Sequence, residues 1–241
     1  MTPLSMPETV GLHAPQHHPG DELLLAYASG NLAEAASLAV ATHLALCPRC
    51  RHEVHRLEAM GGALLEEMPA APVGDDLLAR IMAQLDAPAP VAPRPLPANT
   101  DTADAAAAPG RPLLPQPLRG YVGGDLSGLS WRRVMRGVEE AEVRCGPGDA
   151  SGAKVRLLRI KGGMAMPQHT HGGSELTLVL AGGFTDAMDH YLRGDFAETD
   201  NSVDHQPVAD AGEDCICLTV TDAPLRLTGT LGRLLNPFIK F

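Results

Sequence analysis

Residues 163–182 read GMAMPQHTHGGSELTLVLAG. His169 and His171 are separated by one residue and precede a Gly-Gly-Ser turn, Glu175 and an apolar run over 176–180. On an extended strand alternate residues share a face, so the two rings point to the same side. The turn then opens a second strand with Glu175 at its head. The surrounding runs, KVRLLRIKGG (154–163), HYLRGDFAET (190–199), DCICLTVTD (214–222) and PLRLTGTL (224–231), are short, β-rich and bounded by turn residues. Several such strands at close spacing predict a small antiparallel β-barrel over residues 119–241. A further inward group has to come from beyond RGDF (193–196), where His205 is the histidine available; His190 lies before it.

Upstream the pattern changes. Residues 87–118 hold nine of the 21 prolines, with much alanine and no apolar periodicity, which predicts an extended linker. Residues 1–86 are then a separate segment, and DELLLAYASG (21–30), LAEAASLAVATHLAL (32–46) and CRHEVHRLEAMGGALLEEM (50–68) space their apolar residues as helices do, with Gly30 placed as a stop. The expected architecture is therefore multidomain: an N-terminal all-α bundle and a C-terminal all-β barrel.

The bundle carries its own chemistry. In HLALCPRC (43–50), His43 and Cys47 lie one helical turn apart on one face, and Pro48 allows a turn that returns Cys50 to the same point. Two residues between cysteines is a zinc-site spacing, and a closed site takes a fourth ligand, for which His17 and His18 stand just before the first helix. A redox pair is the alternative for Cys47 and Cys50, but no strand precedes them. A bundle of fewer than about 60 residues has a thin core, and zinc would add what burial lacks.

A fourth helix is expected over 75–86, where Leu77, Leu78, Ile81, Met82 and Leu85 form one apolar stripe behind an Asp75 or Asp76 N-cap. The stripe either packs on its own bundle or docks in a groove of another protein.

Composition narrows the function. With 241 residues, 44% of them hydrophobic, the chain can bury a sizeable core. A formal charge of −10 excludes the basic footprint that direct nucleic-acid binding needs. The sequence has no apolar run long enough for a membrane span and no signal-peptide pattern at its start, so it is expected in the cytoplasm with no membrane partner. Five cysteines, an odd number, favour metal or thiol chemistry over a disulfide framework.

Gly163, His169, His171, Glu175 and Gly182 resemble the first metal motif of the cupin superfamily, and Gly194, Asp195 and His205 look like a loose second motif lacking its Pro-x-Gly. Together with HHPGDELLLAYASGNL (17–32), ATHLALCPRC (41–50), MAQLD (82–86), ELTLVL (175–180) and DCICL with TDAPLR (214–226), the chain resembles the ChrR family of zinc-binding anti-sigma factors. The resemblance implies that His18, His43, Cys47 and Cys50 bind a structural zinc, and that His169, His171, Glu175 and His205 bind zinc or another divalent metal in the cupin. It implies a partner too, a sigma factor of the extracytoplasmic-function group, which the helices would occlude, and release on photooxidative or oxidant stress sensed by the cupin. Met164, Met166, Cys215 and Cys217 are the candidate reactive groups, with core filler as their ordinary role. The other reading is a metal-dependent cupin enzyme of dioxygenase or isomerase type; no further acid–base pair supports it, and the protein is not expected to be an enzyme.

Overall fold

The structure is a computed structural model and describes residues 14–85, 112–146 and 151–229. The chain forms two compact units, one holding the residues up to Met60 and those from Pro112 on, the other the residues between. Helices α1 (Asp21–Ala28), α2 (Glu34–Leu44) and α3 (Pro48–Glu67) come first, then α4 (Leu77–Leu85) and α5 (Gln116–Val122). Gly30, at φ +70°, ends the α1 region as expected.

Among the described residues twelve strands follow: β1 (Arg132–Met135), β2 (Val138–Val143), β3 (Lys154–Ile160), β4 (His169–His171), β5 (Glu175–Ala181), β6 (Gly183–Thr185), β7 (His190–Leu192), β8 (Phe196–Thr199), β9 (Asp204–His205), β10 (Val208–Ala209), β11 (Cys215–Thr221) and β12 (Leu225–Leu227). They form a six-stranded sheet, β1-β2-β3-β11-β5-β8, and two three-stranded sheets, β10-β6-β7 and β12-β4-β9, with every pair antiparallel. N-terminal helices followed by a β-domain of cupin type is the fold class expected from the sequence.

Burial along the central strands explains why the sequence there is apolar without a gap. β11 is buried at every position. Ile216, Leu218 and Val220 belong to one core with Leu157 of β3 and Leu176, Leu178 and Leu180 of β5. Cys215 and Cys217, which alternate with them, join a second core with Val138, Val179, Phe184 and Tyr191. A strand covered on both faces gains from apolar residues at every position.

The covering layer on the first face is helical. Ala35, Leu38 and Ala39 of α2 and Leu114 and Leu118 beside and within α5 lie in the same core as Leu157 and Leu218. The two alanines bring the helix close to the sheet, and the opposite face of α2 gives Val40 and Leu44 to a small core with Leu24, Cys47, Cys50 and Val54. α2 is thus apolar on two faces and sits between two cores.

This arrangement differs from the expected division into 1–86, a linker at 87–118, and 119–241. Residues 87–111 of that linker lie outside the described residues. Its last part is packed rather than extended, because Leu114 and Leu118 are 1% and 0% exposed against the sheet, and the first two helices share a core with the strands.

Shared packing makes a prediction. Leu38→Ala should cost about 2–5 kcal/mol, the usual range for a buried leucine, and should lower the helix and barrel transitions together. Far-ultraviolet circular dichroism and the fluorescence of Trp131, the one tryptophan, should give coincident melting curves; separate curves would show two independent cores.

Candidate metal centres

Four side chains converge in the helical part: His18, His43, Cys47 and Cys50 place one ligand atom each within 4.8 Å of one another. The corner between α2 and α3 accounts for three of them. His43 ends a turn of α2, the backbone N–H of Cys47 closes on the His43 carbonyl at 2.8 Å, and Pro48 opens α3 so that Cys50 falls one turn along. His18 arrives from the extended segment before α1, with Nδ1 at 3.4 Å from both sulfurs.

The electrostatics suit a cation. Sharing with Cys50, with the His43 ring close by, holds the Cys47 thiol well below its ordinary range, while the same sharing, together with burial, pushes the Cys50 thiol up. One thiolate is thus ready, and the second proton leaves when a cation binds. His43 is fully buried, and its Nε2 has no hydrogen-bond partner. A buried ring nitrogen left unpaired beside two cysteines fits a metal, and two sulfurs with two imidazole nitrogens form a tetrahedral donor set.

In the barrel, β4 lies between β9 and β12, with His169 directly opposite His205. The alternation on β4 buries His169 and His171 together, as the strand period requires. Nε2 of His205 is 3.2 Å from Nε2 of His171 and 3.2 Å from Nε2 of His169. Each ring is held from behind: His169 Nδ1 meets the Pro167 carbonyl at 2.8 Å, His205 Nδ1 meets Asp186 Oδ2 at 2.8 Å, and His171 Nδ1 lies 3.5 Å from Glu175 Oε2. Acceptors on Nδ1 of His169 and His205 fix the tautomer that leaves their Nε2 lone pairs pointing inward, which is how metal-ligating histidines are oriented, while Nδ1 of His171 has the Glu175 carboxylate nearby but makes no hydrogen bond among the described residues.

Charge states agree with that role. Burial, with His205 and His171 close by, lowers the His169 pKa and favours the neutral ring. Burial opposes ionisation of Glu175, but the neighbouring His171 and His169 outweigh it and lower its pKa. Three imidazoles with carboxylates beside them fit a divalent transition metal.

Of the eight expected site residues the structure brings seven into two groups, His18, His43, Cys47 and Cys50 in one and His169, His171 and His205 in the other. Glu175, expected as the fourth barrel ligand, stands outside the second group. Its Oε1 accepts from Thr177 Oγ1 at 3.0 Å, which turns the carboxylate toward Nδ1 of His171. The sequence reading missed Asp186, whose side chain is 2% exposed. Nothing in its neighbourhood marks it out, because the loop between β6 and β7 meets β9 only through tertiary pairing.

The barrel also reaches the helical centre. His43 Nδ1 is 2.9 Å from the Gly194 carbonyl, to which it donates when Nε2 is free for a metal. Asp195 accepts from the backbone N–H groups of Gln16 and His17 at 2.6 and 3.0 Å, and Phe196 N–H donates to the His17 carbonyl at 3.1 Å. Both histidines of the centre are therefore steadied by the turn between β7 and β8. Gly194 has to be glycine: at φ +95°, a Cβ there would stand 2.7 Å from Pro15.

Residues 121–224 match the ChrR cupin-like domain. The chain is 46% identical to the anti-sigma-E factor ChrR of Cereibacter sphaeroides over 225 residues, covering 93% of this chain and 98% of that protein. It also resembles a chain in the crystal structure of Rhodobacter sphaeroides SigE in complex with the anti-sigma ChrR, at TM-score 0.71 and 42% identity over 86% of this chain and 99% of that one. The chain belongs to the ChrR family of anti-sigma factors.

For the helical centre, Cys47→Ser and Cys50→Ser should each lower bound metal by about one equivalent per chain and loosen α1 and α3, since removing a thiolate from a four-ligand site destroys its closure. Metal analysis of the purified variants checks this, and unchanged metal content in both would remove the site.

Proposed function

We propose that the protein is an anti-sigma factor that binds and occludes a sigma factor of the extracytoplasmic-function group, and that its barrel senses oxidant stress and triggers release. The observation that carries this reading is the extent of the match: the alignment takes in 98% of a protein named as an anti-sigma-E factor. No large part of either chain is left over for a different activity, and the protein is proposed not to be an enzyme.

Physical support comes from apolar side chains left in water. Leu64, Leu65 and Met68, in and just after the end of α3, are each more than 60% exposed, and on α4 Leu78, Ile81, Met82 and Leu85 are 71%, 47%, 54% and 71% exposed. Their spacing on α4 makes one stripe, the pattern of a helix that fills a groove on a partner. A stable grip takes an interface of roughly 1,000 Å² or more, so a helix of this kind extends what the bundle alone can cover. Inhibition is then steric. A net charge of −10 disfavours direct contact with nucleic acid, and among the described residues no helix is long and apolar enough to cross a membrane.

Zinc is proposed for the helical centre, because two sulfurs and two imidazoles at closed tetrahedral count are its structural donor set. When bound, it supplies a cross-link among the segment before α1, α2 and α3. In the barrel, zinc or another divalent metal is proposed on His169, His171 and His205, with Glu175 within reach as a further ligand once its link to His171 is exchanged. Met164 and Met166 pack against the core that holds Cys215 and Cys217, and the two sulfurs of that cysteine pair lie 3.4 Å apart. The hydrogen bond to Cys215, with burial, raises the Cys217 pKa, which keeps the thiol protonated and unreactive until the core opens.

Two measurements test the reading. Leu78→Glu or Met82→Glu in the full chain should weaken sigma binding at least tenfold while zinc content stays at the parent level, since a carboxylate buried in a partner groove loses its hydration; equal affinity would remove α4 from the interface. His169→Ala should leave repression intact but abolish induction of a sigma-dependent promoter by oxidant. Normal induction in a variant that has lost its barrel metal would end the sensor assignment.

A further inference from the structure

Between the two centres runs a short series of contacts that neither of them needs in isolation. Asp186 uses both carboxylate oxygens: Oδ2 meets His205 Nδ1 at 2.8 Å, and Oδ1 accepts the backbone N–H groups of Met188 and Asp189 at 2.8 and 3.1 Å. The side chain that holds a barrel histidine therefore also shapes the turn between β6 and β7. That turn presents Asp189, whose Oδ2 lies 3.1 Å from His17 Nε2. His17 is the residue before His18, a member of the helical centre. Its ring leans on Tyr191 of β7 at 4.5 Å between centroids, so the contact is fixed from the barrel side.

We propose that Asp186 and Asp189 are positioning residues shared by the two metal centres, so that filling the barrel centre tightens metal binding at the helical one. The proposal rests on the reading of both clusters as metal sites. A cation on the three Nε2 atoms holds the His205 ring in one orientation and keeps its Nδ1–H on Asp186. Without the cation that ring is free to turn, Asp186 loses a partner, and the turn that carries Asp189 loosens. His17 is then held less firmly, and His18 with it. By linkage the effect runs equally in the other direction. Its size is modest, because the Asp189 side chain is 62% exposed and a hydrogen bond so open to water is weak; about fivefold in affinity, the low end of allosteric couplings, is expected.

Cobalt is the probe, because a sulfur-to-cobalt charge-transfer band reports a cysteine-bearing centre, and its absence in Cys47→Ser assigns the band to the helical one. Cobalt affinity from that band, measured by chelator competition, is compared in the full-length parent, His169→Ala, Asp189→Ala and the double variant. Each single variant should bind about fivefold more weakly than the parent, and the double variant no more weakly than either, since both break one link. Asp189→Asn, which keeps an oxygen for His17, should bind within about twofold of the parent; an asparagine variant as weak as alanine would overturn the positioning role. Losses that multiply in the double variant, or an Asp189→Ala affinity equal to the parent's, would overturn the coupling while total cobalt still falls by one equivalent in His169→Ala. A His169→Ala chain that binds as much cobalt as the parent would instead remove the barrel site, and the coupling with it.

Discussion

Leu24, Val40, Leu44 and Val54, with the two cysteines, are the buried apolar residues at the centre of the helical segment, and so few side chains do not hold helices together in water. Two features of the structure answer that shortage. His18, His43, Cys47 and Cys50 bring the segment before α1 together with α2 and α3 at one point, and α2 turns its second face onto the sheet, where Ala35, Leu38 and Ala39 join a core they do not have to build. His43 belongs to both. Its Nδ1 is on Gly194 of the barrel and its Nε2 faces the cysteines, so one imidazole connects the metal ligand set to the β-domain.

The same logic governs the barrel interior. Three histidines, with Nε2 of His205 3.2 Å from that of each of the other two, would repel if charged, and burial favours the neutral form of the His169 ring. Their orientation then depends on what stands behind each ring: a carbonyl, an aspartate and a glutamate. Burying such groups is unfavourable unless a cation collects the lone pairs they expose, which is why a cluster of this kind reads as a metal site rather than as core.

Placing the helical centre against the turn that joins β7 and β8 has a consequence for regulation. Gly194 meets His43, while Asp195 and Phe196 hold the backbone of Gln16 and His17 just before His18, so this one turn reaches both histidines of the centre. The cysteines hold the α2–α3 corner by local geometry, whereas His18 is held by contacts distant in sequence. The helical centre is thus built from three ligands set at one local corner and a fourth, His18, whose segment is held by the β-domain.

The sequence by itself determined the local parts. Periods of two and of about 3.6 residues, the HxH spacing on β4, and His43, Cys47 and Cys50 around one helix corner are set within a few residues, where backbone geometry leaves little choice. The α4 stripe and the apolar run of β5 were legible for the same reason. Tertiary structure decided what depends on pairing across long separations. It packed Leu114 and Leu118, read as linker, against the sheet as part of the helical layer; it set Glu175 behind His171 instead of among the three nitrogens; and it gave Asp186, Gly194 and Asp195 their work at the two centres. Those roles arise from hydrogen bonds between residues up to 179 positions apart, and such contacts leave no periodic trace because neither partner's neighbours in sequence need to change for the bond to form.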